Sequence, residues 1–151
     1  MNLWERFETI AQPEEVEQAK LEFEPIPEGQ YGMILEEIAP AESKNGLPMI
    51  KGKFRMVENN RLVFYNQVMQ NLNYPNLNAK NIAEGVRFIS GLIGEEITFE
   101  GMGKLAQTIS EIEVGKEYLI DVSYDKKDTD KKFTKLRVVT FETEEVDDFP
   151  F

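Results

Sequence analysis

The sequence predicts a mainly β domain with minor α, built as a five-stranded Greek-key barrel. Three observations predict it. The middle of the chain carries three strand patterns, one helical pattern and then two more strand patterns. The last two strands are joined by a short charged turn, as in a hairpin. The chain of 151 residues is long enough for a hydrophobic core without disulfides. An open α+β sheet is the competing architecture.

The five strands are predicted from runs of alternating, β-branched and aromatic residues. Their bounds are 31–39, 49–57, 61–69, 117–124 and 132–141. Asn45 and Gly46 lie in the loop between the first two strands, where Asn-Gly supplies the positive φ of a tight turn. Residues 58–60 form the next turn, and a charged turn at 126–131 joins the last two strands.

One amphipathic helix is predicted between the third and fourth strands. Its apolar residues recur at helical spacing over 82–93, with Asn78 as the N-cap and Gly94 at the end. Residues 96–100 are predicted as a short strand, and a helical turn follows at 102–109. Three strands, a helix and two strands are the order of the OB-fold, a five-stranded Greek-key barrel.

Residues 1–24 are predicted as an acidic helical N-terminal segment ahead of the body at 25–141. A short amphipathic helix is indicated by four apolar residues at helical spacing, Leu3, Trp4, Phe7 and Ile10. A second short helix follows Pro13, which suits a first helical turn. The segment either packs on the barrel or makes a subunit contact, so a homo-oligomer is one of the two alternatives.

The net charge of −11 argues against a nucleic-acid partner only if the acidic residues are spread evenly. Residues 1–24 carry seven acids and two bases, and residues 142–151 carry five acids and no base, so each end has a net charge of −5. The body at 25–141 holds 16 acids and 15 bases. A nearly neutral body can present a basic face where the two signs segregate in space.

The absent residue types exclude several kinds of catalysis. Without cysteine there is no disulfide or thiolate nucleophile, and without histidine there is no imidazole base. Asp121, Asp125, Asp128 and Asp130 are the nearest approach to a Mg²⁺ nuclease site, but lysines alternate with them, which is typical of a solvated turn. We therefore expect a binding protein and not an enzyme, with no catalytic residues, metal site or cofactor.

The predicted compartment is the cytoplasm, with no membrane partner. Residues 1–10 contain charges and lack the apolar run of a signal peptide. No stretch approaches the about 18 consecutive apolar residues of a membrane-spanning helix.

Alternation in the second predicted strand separates an apolar face from a row of cations. The apolar set is Ile50, Phe54 and Met56, and the opposite set is Lys51, Lys53 and Arg55. In the third strand Leu62, Phe64 and Val68 are the predicted core set, although Asn66 interrupts it. This assignment puts the ring of Tyr65 beside the cations.

Cations that neutralise phosphates and rings that stack on bases are what single-stranded nucleic acid requires. The predicted nucleic-acid surface comprises Lys51, Lys53, Arg55, Arg61, Tyr65, Phe133, Lys135 and Arg137. The alternative is that the lysines only form the solvated outer face of a sheet.

Residues 142–151 are predicted as a disordered acidic tail, because five carboxylates without a base do not fold alone. The tip of the tail is Asp147, Asp148, Phe149, Pro150 and Phe151. Its terminal ring suits an apolar pocket of a partner protein, in which basic residues hold the α-carboxylate and the acids. The alternative is a solubilising tail.

This tip resembles the acidic tail of bacterial single-stranded DNA-binding proteins (SSBs), which usually ends Asp-Asp-Ile-Pro-Phe. The body is similar to bacteriophage-encoded OB-fold SSBs in the Pro-Glu-Gly-Gln-Tyr strand entry at 27–31 and the Ser-Lys-Asn-Gly-Leu-Pro-Met turn at 43–49. The resemblance covers about residues 25–70 and the tail. It implies sequence-nonspecific binding of single-stranded DNA in a bacterial or phage-infected cytoplasm, and recruitment of replication, recombination and repair enzymes by the tail.

We therefore expect a protein that coats single-stranded DNA during phage DNA replication or recombination and recruits partner enzymes through its tail. A protein-interaction adaptor that never binds DNA is the alternative.

Overall fold

Five antiparallel strands form one open sheet in the computed structural model, which describes residues 2–21, 24–131 and 134–139. The strands are β1 (Gly29–Glu42), β2 (Pro48–Met56), β3 (Leu62–Val68), β4 (Glu117–Ser123) and β5 (Lys135–Val138). The helices are α1 (Pro13–Leu21), α2 (Asn78–Ile93) and α3 (Met102–Ser110), with 3-10 turns at Trp4–Phe7 and Pro75–Leu77. The prediction of a mainly β domain with five strands is confirmed.

The long first strand organises the sheet, whose order is β3-β2-β1-β4-β5. Residues 29–34 of β1 pair with β4, and residues 33–42 pair with β2. The register shifts between Leu35 and Glu37, which makes Glu36 the extra residue of a β-bulge. Because a bulge bends its strand and increases the local twist, β1 can serve both halves of the sheet.

One face of the sheet is apolar and packs against α2 and α3. The sheet contributes Met33, Leu35, Ile38, Ile50, Phe54, Met56, Val63, Tyr65, Ile120 and Val122 to the buried core. The helices contribute Phe88, Ile89, Leu92, Leu105 and Ile109. The predicted core face of β2 is confirmed, and the other face of the sheet is left to solvent.

Helix α2 packs on the core side of the sheet and contacts both edge strands, β3 and β5. Near β3 the ring of Phe88 stacks on Tyr65, with ring centroids 3.7 Å apart. Near β5 the backbone of Gly91 approaches Val138 so closely that an added Cβ would lie 2.7 Å from the Val138 Cβ. The helix ends at Gly94 as predicted, with φ of 89° and its N–H donated to the Ser90 carbonyl.

The close approach at Gly91 makes the Gly91→Ala substitution costly. In an open helical position alanine is favoured over glycine by about 1 kcal/mol. At Gly91 the new methyl would overlap Val138, and overpacking typically costs about 1–3 kcal/mol. We expect the free energy of unfolding in urea to fall by about 1–2 kcal/mol. The matched control is Gly103→Ala in α3, where no atom lies within 4 Å of the new Cβ and stabilisation is expected. A stabilised Gly91→Ala variant would contradict the packing of α2 on β5.

Three local predictions are wrong. Residues 96–100 have no regular secondary structure, because the Ile97 N–H is donated to the Ser90 side chain and not to a neighbouring strand. Asn78 is the first residue of α2 and not its N-cap, and its side-chain oxygen accepts the N–H of Asn71 at 2.7 Å.

The third concerns the N-terminus, where the predicted amphipathic helix is a 3-10 turn without a single buried residue. Its four large apolar side chains are between 50% and 85% exposed. The helix predicted after Pro13 is present as α1.

Candidate nucleic-acid interface

The second strand carries three cations on the face of the sheet opposite to the core. Lys51, Lys53 and Arg55 alternate with buried residues, as the sequence predicts. Lys51 is exposed, and the side chains of Lys53 and Arg55 are each about one-third exposed. Their spacing along one side of a strand places successive Cα atoms about 6.6 Å apart.

Phe64 of β3 is the aromatic ring beside these cations. It lies directly opposite Lys53 in the β2–β3 register and is 51% exposed, although it stands in the middle of a strand. The cationic face, as we name it, consists of Lys51, Lys53 and Arg55 with their partners Asn66, Phe64 and Leu62. Asn66 lies on the same side of β3 as Phe64, and its polar side chain is the sequence feature that indicates that this side faces solvent.

The prediction that Tyr65 lies on this surface is wrong. Tyr65 is 8% exposed and lies opposite Gly52, on the core side of the sheet. Its ring is stacked on Phe88 at an interplanar angle of 8°. Burial and the nearby charge of Glu84 raise the pKa of the Tyr65 phenol. Tyr65 therefore holds α2 against β3 and is not available to stack on a base.

The length of the β2–β3 turn explains this reversal. Four residues, 57–60, separate Met56 from Arg61, and the N–H of Met56 is donated to the Arg61 carbonyl. Asn60 closes the turn with a positive φ of 59°. The predicted turn had three residues, 58–60, and a shift of one residue turns every side chain of the following strand to the other face.

Arg61 is displaced from the cationic face for the same reason. It precedes β3 and belongs to the frame of the buried residues Val63 and Tyr65. Burial raises the pKa of the Tyr124 phenol, and the positive charge of Arg61 acts in the opposite direction on that pKa. Tyr124 donates its hydroxyl to the Ile26 carbonyl at 2.8 Å, so Arg61 lies at an end of the sheet and not in the row of β2 cations.

Two carboxylates of β1 lie beside the cations of β2, Glu36 in the bulge and Glu37 directly opposite Lys53 in the β1–β2 register. The bulge residue Glu36 accepts hydrogen bonds from Arg55 at 2.8 Å (Nε to Oε2) and 3.3 Å (Nη2 to Oε1), and Lys53 Nζ lies 4.0 Å from Oε1. The Arg55 hydrogen bond lowers the pKa of Glu36 and raises that of Arg55. Lys51 makes no ion pair within the part of the chain that the structure describes. Lys51 and Lys53 are therefore more available to a phosphate than Arg55.

An ordered loop continues the exposed surface beyond the Lys51 end of β2. The loop begins where the Met69 N–H is donated to the Pro48 carbonyl, beside the β1–β2 turn. The side-chain oxygen of Asn71 accepts the N–H groups of Asn73 and Tyr74, both at 3.0 Å. These bonds hold a loop in which the Tyr74 ring is 62% exposed. Tyr74 is a second candidate ring that is absent from the predicted nucleic-acid surface.

The β5 cations are not brought together with those of β2. Lys135 and Arg137 share the outer side of the sheet, but β1 and β4 lie between β5 and β2, a separation of about 14 Å. Lys135 pairs with Asp125 at 3.4 Å, and Arg137 lies opposite Asp121 in the register. The remaining predicted contacts lie outside the described residues: Phe133, Asp147, Asp148, Phe149, Pro150 and Phe151.

The first acid of the charged β4–β5 turn, Asp125, is engaged in local contacts. Asp125 accepts the backbone N–H of Lys127 at 3.0 Å and pairs with Lys135, and these contacts lower its pKa. Across residues 2–21, 24–131 and 134–139, no three acidic side chains converge in an arrangement suited to a metal ion. Over the same ranges no helix is both long and apolar enough to cross a lipid bilayer.

Comparison of the chain with models of known protein families and with curated proteins finds no match.

Proposed function

We propose that the sheet and helices form an OB-fold. The order β3-β2-β1-β4-β5, with a bulged first strand shared between two halves and a helix after the third strand, fits a five-stranded Greek-key barrel. Helix α2 occupies the side on which β3 and β5 would meet to close that barrel. OB-folds bind oligonucleotides around the face of strands 2 and 3, which is where the cationic face lies.

On this fold, the proposed function is sequence-nonspecific binding of single-stranded DNA, coating the strand during replication or recombination in a bacterial or phage-infected cytoplasm. The observation that carries it is the half-exposed Phe64 ring directly opposite Lys53. Every base offers a π-face, so a protruding ring binds bases without reading their sequence. Stacking of this kind contributes about 1–3 kcal/mol per base.

The lysines of the cationic face supply the phosphate contacts. Lys53 lies directly opposite Phe64, and Lys51 lies opposite Asn66, the next residue on the same face, so a strand whose base stacks on Phe64 can place its phosphates near both ammonium groups. Each neutralised phosphate releases counterions and makes the affinity fall with salt. The excess of acids is concentrated in the two ends of the chain, whereas the body carries 16 acids against 15 bases and the β2 cations lie together on one face.

Replacing Glu36 with glutamine is expected to tighten single-stranded DNA binding. The substitution removes one negative charge from beside Lys53 and Arg55 and frees the Arg55 guanidinium for a phosphate. At a few ångströms in water, one charge changes the interaction energy enough for an affinity gain of about 3-fold at low salt. Fluorescence anisotropy with a labelled dT oligonucleotide measures it. Glu113→Gln, which removes the same charge from the loop after α3, is the control; an equal gain there, or none for Glu36→Gln, would count against this site.

The tail is proposed to recruit partner enzymes and not to bind DNA. Deleting residues 142–151 removes five carboxylates and no base, so we expect single-stranded DNA affinity to stay equal or to rise at low salt, with the gain shrinking as salt increases. The control is the Phe149→Ala and Phe151→Ala double variant, which keeps the charge and should bind DNA as the full chain does. Loss of DNA affinity on truncation would contradict this division of roles.

Titration of the full chain with a labelled poly-dT oligonucleotide tests the proposed function. Micromolar or tighter binding at low salt, weakening as salt rises, is expected. Absence of binding at low salt would leave the adaptor function, in which only the acidic ends contact partners.

A further inference from the structure

The N-terminal segment exposes a cluster of large apolar side chains. It contains Leu3, Trp4, Phe7 and Ile10, and none of these residues is buried. Trp4 is 85% exposed. The 3-10 turn that carries it is ordered, since the Asn2 side-chain oxygen accepts the Glu5 N–H at 3.0 Å. Several large apolar side chains exposed within one short segment mark it as a candidate interaction site.

The helix side of the sheet holds an open groove that matches this segment in character. The groove has a volume of about 750 Å³ and lies between α2, residues 94–99 and β5. Its apolar lining includes Ile82, Val86, Ile97, Phe99 and Val138. The volume is in the range of cavities that enclose large apolar groups.

The outer wall of the groove is fixed in place by Ser90 of α2. Its hydroxyl donates to the Val86 carbonyl at 2.8 Å and accepts the Ile97 N–H at 3.1 Å, which ties residues 94–97 alongside the helix. The groove is therefore built into the fold, and it lies away from the cationic face, which is on the other side of the sheet.

Charges at the groove and on the segment are complementary. Arg87 of α2 and Arg137 of the edge strand β5 line the groove and are exposed, and the segment carries Glu5 and Glu8 among its apolar residues. The groove is also lined by Glu95 and Glu96, which are of opposite charge to Arg6 of the segment. Such pairs fix the register of an apolar contact more than they strengthen it.

We propose that the groove of one chain takes the N-terminal segment, residues 2–10, of a second copy of this chain, and that the exchange is reciprocal. A reciprocal exchange uses the same surfaces on both copies and closes as a two-fold dimer. In this exchange the apolar side chains of the segment cover the apolar lining of the groove, and Glu5 and Glu8 are expected near Arg87 and Arg137. Each dimer then presents two cationic faces outside the contact.

The chain contains one tryptophan, so its fluorescence reports on Trp4 alone. A dilution series of the full chain, followed by Trp4 emission and by light scattering for molar mass, tests the proposal. We expect blue-shifted emission in the dimer and a red shift on dilution, with the same midpoint as the fall in mass. A monomer at all concentrations, a dimer in which Trp4 emission stays red, or a blue shift that persists in the monomer would each overturn it.

A groove variant adds a second readout. Ala83 lines the groove and is exposed on α2, so Ala83→Glu puts a negative charge in the path of Glu5 and Glu8 without disturbing the core. The dimer midpoint is expected to move to at least about 10-fold higher concentration. Gln107→Glu adds the same charge to the exposed surface of α3 and should leave the midpoint unchanged. Thermal unfolding confirms that both variants fold; an unmoved midpoint for Ala83→Glu contradicts the proposal.

Discussion

The Phe64→Leu substitution is expected to weaken binding to a dT oligonucleotide by about 10-fold or more, because leucine keeps the apolar volume and removes the π-face on which a base stacks. Phe64 is half exposed and packs little against the core, so the free energy of unfolding should change by less than about 1 kcal/mol. Binding is measured by anisotropy at fixed salt, and stability by urea unfolding.

Phe64→Tyr is the matched control for this experiment, because it retains a ring at the same point opposite Lys53. It should bind the oligonucleotide within about 2-fold of the unmodified chain. If Phe64→Leu binds as tightly as Phe64→Tyr, base stacking at this position is refuted, whatever the other residues of the cationic face do.

Tyr65→Ala is expected to lower the free energy of unfolding by about 3–5 kcal/mol. The ring is almost fully buried and stacks face to face on Phe88, so its removal leaves a cavity between β3 and α2. Tyr65→Phe keeps the stack and should cost less than about 1 kcal/mol. Urea unfolding of the three proteins measures both effects. A Tyr65→Ala variant of unchanged stability and reduced DNA affinity would show that the ring lies on the surface.

Alkaline pH provides an independent check on the burial of Tyr65. Burial raises the pKa of the phenol above its ordinary value of 10.0, so the unfolded chain loses this proton before the folded chain does. The stability that depends on a neutral Tyr65 is complete below pH 10 and declines as the pH rises above it. Tyr65→Phe has no such proton, and its stability should fall less steeply over the same interval.

Strand β2 could be predicted correctly because its two frames differ chemically. One frame holds only apolar residues and glycine at the centre, and the other holds Lys51, Lys53 and Arg55. Burying the apolar side of β2 buries no charge, whereas burying the other side would bury three. The choice of core face therefore follows directly from the cost of desolvating charges. The structure agrees at every position of β2 from Ile50 to Met56.

Strand β3 could not be resolved in the same way, because both of its frames are apolar enough to be buried. Leu62 and Phe64 stand in one frame, and Val63 and Tyr65 in the other. The choice depends on whether the preceding turn has three or four residues, and a strand shifted by one residue exchanges its faces completely. Only the polar Asn66 favours the observed frame. The packing of Tyr65 on Phe88 is a contact between distant parts of the chain that no local pattern encodes.

The cations of the candidate site could therefore be predicted, because they follow from local alternation along β2. The aromatic residue beside them could not, because it depends on the register between two strands. The competing carboxylate of Glu36 illustrates the same limit. Its reach to Arg55 depends on the bulge in β1, and nothing in the local sequence around Glu36 distinguishes it from the neighbouring Glu37.

The salt dependence of DNA binding tests the central claim, that the cationic face binds single-stranded DNA, most directly. The logarithm of the affinity for a dT oligonucleotide is measured against the logarithm of salt concentration for the unmodified chain, for Lys51→Ala with Lys53→Ala, and for Lys20→Ala with Lys104→Ala on the helices. Each phosphate contact contributes about 0.7 to the slope, so the first double variant should lose about 1.4 of it and the second none. Equal slopes for all three proteins, or no binding at low salt, would contradict the account.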